Sequence, residues 1–343
     1  MKLTLVRHQY FKMHDPSPHY HPENPERLSR VERGLRAYNL LGSLDKARIT
    51  PGNPMIYREV HDEAYLREIL DEAEYAFGAF FIDPDTYMSP GTMNALEALA
   101  GSVNYALDVI DEASVIILGR PPGHHAGRSG VALGAPTQGF CLVNTVALLA
   151  YKLARRGRVL VVDFDVHHGN GTQEILGSLG KVKHVDIHQE YTTIYPWTGA
   201  PGLVGEGNLY NINLPPGSGD DVYLDALKLL AYAVEDHDPD YIVVSAGFDS
   251  YNGDNSFSNI KATSATFNTI GKMIASKVQR VVAFLEGGYG VGLERGVPAF
   301  IQGLLGKDDP VGENPTKTPP SLWSLYRERL KEVMEAHGIN LKV

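Results

Sequence analysis

The chain of 343 residues has little of several features that mark other classes of protein. Cys141 is its only cysteine, which excludes disulfides within the chain and predicts a cytoplasmic setting. No apolar run approaches the roughly 18 residues that a membrane span needs, so no membrane association is expected. The opening segment from Lys2 to Val6 is too short for a signal-peptide core and is interpreted as a first strand. Lysine and arginine form no basic cluster, so no nucleic-acid partner is expected.

The balance of charge is acidic, with 41 acidic against 31 basic residues and a net charge of -10. Such a surface favours the approach of cationic substrates, but it is equally typical of an ordinary soluble protein. Hydrophobic residues make up 43% and charged residues 21%, which is typical of a globular chain.

Apolar β-branched runs alternate with amphipathic stretches along most of the chain. Buried strands are predicted at 113–118, 158–163, 241–245 and 280–285. Helices are predicted at 26–41, 62–77, 93–110, 143–156, 222–236, 264–278 and 322–337. This alternation predicts an α/β fold with a parallel sheet covered by helices on both faces, and an active site beyond the carboxyl ends of the strands. No repeat or long linker interrupts the pattern, so residues 1–343 are expected to form a single domain.

Three metal-ligating residues follow two of these strands. Asp165 and His167 are two residues apart, so their side chains point to the same side at a strand end. Asp249 follows another strand and supplies a third ligand. Three protein ligands leave positions open for water and substrate, the pattern of a catalytic site. A carboxylate–imidazole set without cysteine suits zinc, with iron or manganese as competitors; taken alone, Asp165 and His167 would be only a hydrogen-bonded pair.

Two adjacent histidines, His124 and His125, follow the strand at 113–118 within the segment Arg120-Pro-Pro-Gly-His-His-Ala-Gly127. Adjacent imidazoles need different environments to serve as distinct acid–base groups. Asp163 is positioned to accept a hydrogen bond from His124 and fix its tautomer. His168 is assigned no chemistry.

The last predicted strand runs into Glu286-Gly-Gly-Tyr-Gly290. The glycines, including Gly288, permit positive φ angles and close backbone approach, and are expected to place Tyr289 on a mobile tip. A tyrosine hydroxyl beside a metal can donate a hydrogen bond to a developing oxyanion. The alternative is a tight turn with a packing ring.

At these residues the chain resembles the histone deacetylase superfamily, including acetylpolyamine amidohydrolases and acetoin-utilisation proteins. The resemblance runs in order through His21-Pro-Glu-Asn-Pro-Glu-Arg27, the 120–127 segment, Gly139-Phe-Cys-Leu-Val-Asn144, Asp163-Phe-Asp-Val-His-His-Gly-Asn-Gly171, Leu214-Pro-Pro-Gly-Ser-Gly219 and Glu286-Gly-Gly-Tyr-Gly290. It implies an arginase-like three-layer α/β/α fold with one central, mostly parallel sheet of eight strands. It also implies zinc on Asp165, His167 and Asp249, with His125 as the principal acid–base group and Tyr289 polarising the acyl carbonyl.

The resemblance further implies a set of substrate-binding residues. Phe140 and Tyr195 would form the two walls of an acyl-lysine tunnel, Asp85 would bind the substrate at the rim, and Arg27 would lie at the inner end. Gly288, next to Tyr289, is also expected to contact the substrate.

Two positions depart from the family pattern. Asn170 replaces an aspartate that pairs with the second tandem histidine in nuclear enzymes; because an amide stabilises an imidazolium less than a carboxylate does, a lower pKa is expected for His125. Asp186 stands where the family often has serine. The resemblance implies a structural potassium or sodium site at Asp163, and the extra negative charge of Asp186 bears on its ion preference.

The predicted function is therefore zinc-dependent removal of an acetyl or other acyl group from an amine such as acetyl-lysine or an acetylpolyamine. Two alternatives remain open. One is a ureohydrolase of the arginase type, which would need a binuclear manganese site and would leave the tandem histidines unexplained. The other is a non-catalytic protein that binds acyl-lysine or polyamine on the same fold.

Overall fold

A computed structural model describes residues 2–254 and 257–340. Its centre is an eight-stranded sheet in which every neighbouring pair of strands is parallel. The strands of the chain are β1 (Leu3–Val6), β2 (Asp45–Ala47), β3 (Phe80–Phe81), β4 (Tyr87–Met88), β5 (Ser114–Ile117), β6 (Val159–Asp163), β7 (Val182–Gln189), β8 (Leu209–Leu214), β9 (Tyr241–Ala246) and β10 (Val281–Leu285). The order across the large sheet is β2-β1-β5-β10-β9-β6-β7-β8.

Helices connect the strands and cover the sheet, as parallel crossovers require. The α-helices are α1 (Glu26–Ala37), α2 (Glu63–Glu74), α3 (Thr92–Val109), α4 (Thr145–Leu153), α5 (Asn170–Leu176), α6 (Asp220–His237), α7 (Ser264–Lys277), α8 (Val291–Leu304) and α9 (Pro320–Ala336). The α/β prediction with one central eight-stranded sheet is confirmed, and the sheet is wholly rather than mostly parallel. The prediction of a single domain over 1–343 stays a prediction.

The central strands form where the sequence concentrates apolar β-branched residues. Every residue of β5, β6, β9 and β10 is buried, because helices cover both faces of these strands. These four strands and the seven predicted helices are present with ends shifted by at most four residues. The strands β2, β7 and β8 and the helices α5 and α8 were not among the predicted elements.

The order of the strands brings the motifs of the sequence together. Strands β5, β10, β9 and β6 are consecutive in the sheet. Their carboxyl ends lead into the tandem histidines, the Gly-Gly-Tyr segment, Asp249, and the Asp165–His167 pair, in that order. Parallel strands end at one edge of the sheet, so segments far apart in sequence converge there.

The small antiparallel pair of β3 and β4 lies apart from the large sheet, and Asp85 occupies the turn between them. Among the described residues, no helix is both long enough and apolar enough to cross a membrane. The cytoplasmic setting stays a prediction.

Candidate active site

A cavity of about 220 Å³ opens at the carboxyl ends of the four central strands. It is lined by Asp85, Pro122, His124, His125, Gly139, Phe140, Asp165, His167, Tyr195, Phe257, Gly287 and Tyr289. Eight of the predicted site residues are therefore in one cavity, although they come from segments spread over more than 200 residues of sequence.

The three predicted metal ligands lie together at the base of this region. One ligand atom each from Asp165, His167 and Asp249 falls within 4.8 Å of the others. The Nδ1 atom of His167 lies 3.0 Å from Oδ1 of Asp165 and 3.1 Å from Oδ2 of Asp249. Two carboxylates and one imidazole form a ligand set that divalent first-row ions accept.

Two observations show that this cluster fits a cation. The Oδ2 atom of Asp249 is buried and accepts no well-formed hydrogen bond among the described residues, although Nδ1 of His167 lies 3.1 Å from it and 3.0 Å from Oδ1 of Asp165. Burial and the neighbouring Asp165 carboxylate raise the pKa of Asp249 to about 6, so the protein alone leaves the negative charge poorly compensated. A buried acceptor beside a second carboxylate is what a bound cation would satisfy.

Glycine keeps the space around these carboxylates open. A Cβ atom on Gly287 would lie 2.3 Å from Oδ2 of Asp249 and 2.4 Å from Oδ2 of Asp165. The Gly287 N–H instead donates to Asp165 at 2.7 Å. The sequence predicts a substrate-binding role for Gly288, whereas the neighbouring Gly287 is the glycine that lies against the carboxylates. Gly288 has φ +107°, and its carbonyl accepts a hydrogen bond from Arg27 at 2.8 Å.

The tandem histidines have different partners. His124 donates from Nδ1 to Oδ2 of Asp163 at 3.0 Å, and His125 donates from Nδ1 to the amide oxygen of Asn170 at 2.7 Å. Their ring centroids are 4.0 Å apart, and both side chains are almost fully buried. One imidazole therefore faces a carboxylate and the other a neutral amide.

This difference separates their pKa values. Burial disfavours the charged form of both rings, but the carboxylates of Asp163 and Asp165 raise the pKa of His124 well above its usual value. Burial and the nearby charge of His124 lower the pKa of His125 well below its usual value. The direction for His125 agrees with the expectation drawn from Asn170. The hydrogen bond to Asn170 itself acts in the opposite sense, so burial and His124 are the causes.

Tyr289 lies above the ligand cluster on an anchored segment rather than on a mobile tip. The carboxylate of Asp254 accepts the backbone N–H groups of Tyr289, Gly290 and Gly292 at 2.7–2.8 Å, at the start of α8. A carboxylate at this position is also favoured by the helix dipole. Asp254 belongs to no motif that the sequence displays, and only the folded chain brings it to this loop.

Arg27 contacts the ring of Tyr289 and the backbone of the segment that carries it. Its guanidinium carbon lies 4.9 Å from the centre of the Tyr289 ring, and it hydrogen-bonds the Glu286 carbonyl oxygen and the Gly288 carbonyl oxygen. Glu23, which is fully buried, accepts from both Arg27 and Arg120. The side chain of Arg27 is therefore engaged by protein groups and is not among the residues that line the cavity.

The predicted tunnel walls and rim residue all border the cavity. Phe140, with φ +70°, places its ring 5.9 Å from that of Tyr289, and Tyr195 places its ring 4.9 Å from that of His125. The Tyr195 hydroxyl donates to the Thr137 carbonyl at 2.9 Å. Asp85 accepts the Thr137 hydroxyl at 2.6 Å, which ties the rim to the wall.

A second group of potential ligands lies deeper in the sheet. Asp163 and Asp186 are directly paired across β6 and β7, and with His184 they place one ligand atom each within 4.8 Å. Neither ring nitrogen of the buried His184 hydrogen-bonds within the described chain. His184 is not among the residues predicted for this group, but its spacing of two from Asp186 on one strand is a sequence signal for it.

Glu286 and His168 belong to the motifs of the sequence but do not line the cavity. The Glu286 carboxylate accepts the backbone N–H groups of Gly123 and His124 at 2.8 and 3.3 Å, which fixes the histidine loop against the end of β10. His168 is held by Thr198 and Gln173 at 2.8 and 3.0 Å, outside the cavity, in keeping with its having been assigned no chemistry.

Comparison with known proteins places this chain in a family. A family model described as the histone deacetylase domain matches residues 21–304. A probable deacetylase of Archaeoglobus fulgidus is 32% identical over 96% of this chain and 93% of its own length. A probable deacetylase of Methanothermobacter thermautotrophicus is 35% identical over 86% of this chain and 91% of its own length. The crystal structure of the HDA15 HD domain is 26% identical with a TM-score of 0.85, covering 98% of this chain and 96% of that one. These matches span most of the sheet and all of the motifs, and the chain belongs to the histone deacetylase superfamily.

Proposed function

We propose that this protein is a metal-dependent amidohydrolase that removes an acetyl group from an acylated amine and releases acetate. The observation that carries the proposal is the shared cavity. His124, His125 and Tyr289 line the same space as the ligands Asp165 and His167, with Asp249 beside them. Each group that amide hydrolysis needs is therefore within reach of one bound substrate.

Zinc on Asp165, His167 and Asp249 is the cofactor that we propose, with iron or manganese as alternatives for this oxygen- and nitrogen-rich ligand set. A divalent ion held there supplies Lewis-acid polarisation of a carbonyl group and of water. At the second group, we propose the potassium or sodium ion implied by the resemblance, bound at Asp163 and Asp186.

His125 and Tyr289 have different roles in the proposed reaction, one as a base and the other as a hydrogen-bond donor. His125 donates its Nδ1–H to Asn170, so Nε2 is the nitrogen that can accept a proton from an attacking water. Its lowered pKa keeps this ring neutral and ready to act as a base. The Tyr289 hydroxyl, whose pKa is raised well above the usual range by burial, stays protonated and donates a hydrogen bond to the developing oxyanion.

Collapse of the tetrahedral intermediate requires a proton on the leaving nitrogen. The imidazolium formed at His125 can return its proton there. His124 retains its proton because the Asp163 carboxylate stabilises it. The amine and acetate then leave as products.

The substrate that we propose is an acetylated lysine or an acetylpolyamine. Phe140 and Tyr195 form aromatic walls that suit the methylene chain of such an amine, and Asp85 lies at the rim. We also propose that the whole chain acts as one catalytic domain, without a nucleic-acid or membrane partner.

The test is hydrolysis of acetyl-lysine peptides and acetylpolyamines by the zinc-loaded protein, with acetate measured directly. Acetate release that disappears when zinc is removed by a chelator, and returns when zinc is restored, is the expected result. Tight binding of acetyl-lysine without any acetate release would instead identify a non-catalytic binding protein. Urea release from arginine with manganese would identify a ureohydrolase.

A further inference from the structure

Trp197 carries its aromatic ring next to Tyr195, one wall of the cavity, on an unfavourable backbone. Its φ angle is +59°, a left-handed conformation that bulky side chains rarely adopt. Such conformations persist where the surrounding structure enforces them, and they cluster at functional sites. Phe140, one wall of the cavity, has the same kind of backbone, with φ +70°.

The segment that carries Trp197 is held on both sides. The Trp197 N–H donates to the Ile194 carbonyl at 3.1 Å, Tyr195 is tied to Thr137, and the Thr198 hydroxyl is bonded to His168. The residue is 56% exposed, so burial in the core does not account for its conformation. The fixed backbone therefore presents the indole to solvent.

The exposed ring is continuous with the wall of the cavity. The ring centroids of Trp197 and Tyr195 are 6.0 Å apart with an interplanar angle of 75°. On another side of the mouth, Phe257 is 42% exposed and its ring lies 5.6 Å from that of Tyr289. Both rings therefore add exposed apolar surface next to residues that line the cavity. Exposed apolar surface beside a binding cavity is a mark of an interaction site.

The carboxylates near the mouth are already engaged. Asp85 accepts hydroxyl hydrogen bonds from Thr86 at 3.0 Å and Thr137 at 2.6 Å, and burial raises its pKa. Asp83 accepts the backbone N–H groups of Asp85, Thr86 and Gln138 at 2.7–3.0 Å. These hydrogen bonds order the rim, and the exposed surface that remains beside it at Trp197 and Phe257 is apolar.

We propose that Trp197 is a specificity-determining residue whose indole binds an apolar side chain next to the acylated lysine of a peptide substrate. The proposal rests on the deacylation reaction proposed above. A contact outside the reacting atoms is made equally in the ground state and the transition state, so it should affect KM more than kcat.

The test compares acetyl-lysine peptides that differ only in the residue next to the lysine, with phenylalanine, leucine, glycine or aspartate there. The wild-type protein should hydrolyse the phenylalanine and leucine peptides with a kcat/KM at least about tenfold above that of the glycine peptide, since a good apolar contact is worth this much. Trp197→Gly relieves the backbone conformation and removes the ring, so this ratio should fall to near one, mainly through KM.

Two matched variants separate the ring from the backbone. Asn tolerates the left-handed conformation without supplying an aromatic ring, so Trp197→Asn should lose the preference as Trp197→Gly does. Trp197→Tyr should retain most of it. An unchanged ratio in Trp197→Gly, or loss of the ratio in Trp197→Tyr equal to that in Trp197→Gly, would overturn the proposal. If wild type hydrolyses no acylated amine, the proposed function fails instead.

A binding measurement gives a second readout without turnover. The chain has two tryptophans, so Trp323→Phe leaves Trp197 as the sole indole. In this background with Tyr289→Phe added to slow hydrolysis, the phenylalanine peptide should shift the tryptophan emission to shorter wavelength, and the glycine peptide should not. An equal shift with both peptides, or a shift produced only by an acetylpolyamine, would contradict the apolar contact.

Discussion

The Nδ1 atom of His125 lies 2.7 Å from the amide oxygen of Asn170. The Asn170 side chain also donates from Nδ2 to the Ala132 carbonyl at 2.9 Å, which fixes the direction of its oxygen toward the histidine. This pair sets the tautomer of His125 without adding a negative charge beside it. The proton affinity of the proposed base is therefore open to adjustment at one neighbouring position.

Asn170→Asp should raise the pKa of His125, because a carboxylate at hydrogen-bond distance stabilises the imidazolium. A base must be deprotonated to act, so the acidic limb of the kcat/KM profile should move to higher pH, by about 1 unit or more. A pH series of kcat/KM measures the shift. Asn53→Asp, at an exposed position, serves as the control with an unchanged profile. A limb that stays in place in Asn170→Asp would remove His125 from the role of base.

Tyr289→Phe should lower kcat by about 10²- to 10³-fold, as expected for loss of one donor to an oxyanion. The hydroxyl is not a metal ligand, so metal content should stay equal to that of wild type. Steady-state kinetics together with elemental analysis checks both statements. Tyr75→Phe removes the hydroxyl of a tyrosine that is 69% exposed and should leave kcat unchanged. Near-normal turnover in Tyr289→Phe would contradict the role assigned to this hydroxyl.

Asp249→Ala should abolish metal binding at the catalytic site, because it removes a ligand and the buried oxygen that makes no hydrogen bond within the described residues. Wild type should gain thermal stability on addition of zinc, since a ligand that binds only the folded state stabilises it. The variant should lose most of this increase in melting temperature. Asp308→Ala, whose side chain is fully exposed, is the control. A variant that still binds zinc in full would show that Asp249 is not a ligand.

The central strands could be predicted because their apolar runs are unbroken, whereas the polar strands and the helices α5 and α8 could not. In β7, His184, Asp186 and His188 alternate with apolar residues. The segment therefore lacks the continuous apolar run from which the central strands are predicted. In α8, Pro298 and several glycines lower helix propensity. Close packing explains one of these glycines: a Cβ atom on Gly303 would lie 2.1 Å from the Asn268 carbonyl oxygen of α7. Tertiary packing, which local sequence does not display, decides the structure there.

The ligand set could be proposed from the sequence because its members follow recognisable strands. Their supporting residues could not. Asp254 and Glu286 act by accepting hydrogen bonds from backbone N–H groups. The type and the sequence position of these two residues do not reveal which N–H groups they will accept. The engagement of Arg27 with Glu23 and with the loop of Tyr289 likewise depends on how α1 meets the end of β10.

Gly287→Ala should weaken metal binding by at least about tenfold, because the added methyl group would overlap carboxylate oxygens of both Asp165 and Asp249. Gly287 does not have a positive φ angle, so the substitution tests the steric contact rather than backbone strain. Competition with a chelator of known affinity measures the effect. Gly180→Ala meets no atom within 4 Å and should bind zinc as wild type does. Unchanged affinity in Gly287→Ala would show that the carboxylates move aside at little cost.

Protonation of His61, which has no role in the proposed chemistry, should lower the free energy of unfolding in acid. Its Nδ1–H donates to the Gly127 carbonyl at 2.7 Å, and its Nε2 accepts the Asn144 N–H at 2.9 Å, so a second proton would break the latter bond. Burial lowers the pKa of His61 to about 4. Between pH 6.5 and 4 the unfolded chain therefore binds more protons than the folded one, and the free energy of unfolding decreases as the pH falls.

The size of this effect follows from the pKa difference of His61. It contributes up to roughly 3 kcal/mol, all present above pH 6.5 and lost by about pH 4. Urea unfolding across this range should show a shallower pH dependence in His61→Gln, which keeps one donor and one acceptor but does not titrate. His19→Gln, at an exposed histidine, should retain the wild-type slope. Equal slopes in all three proteins would mean that the pKa of His61 is the same in the folded and the unfolded state.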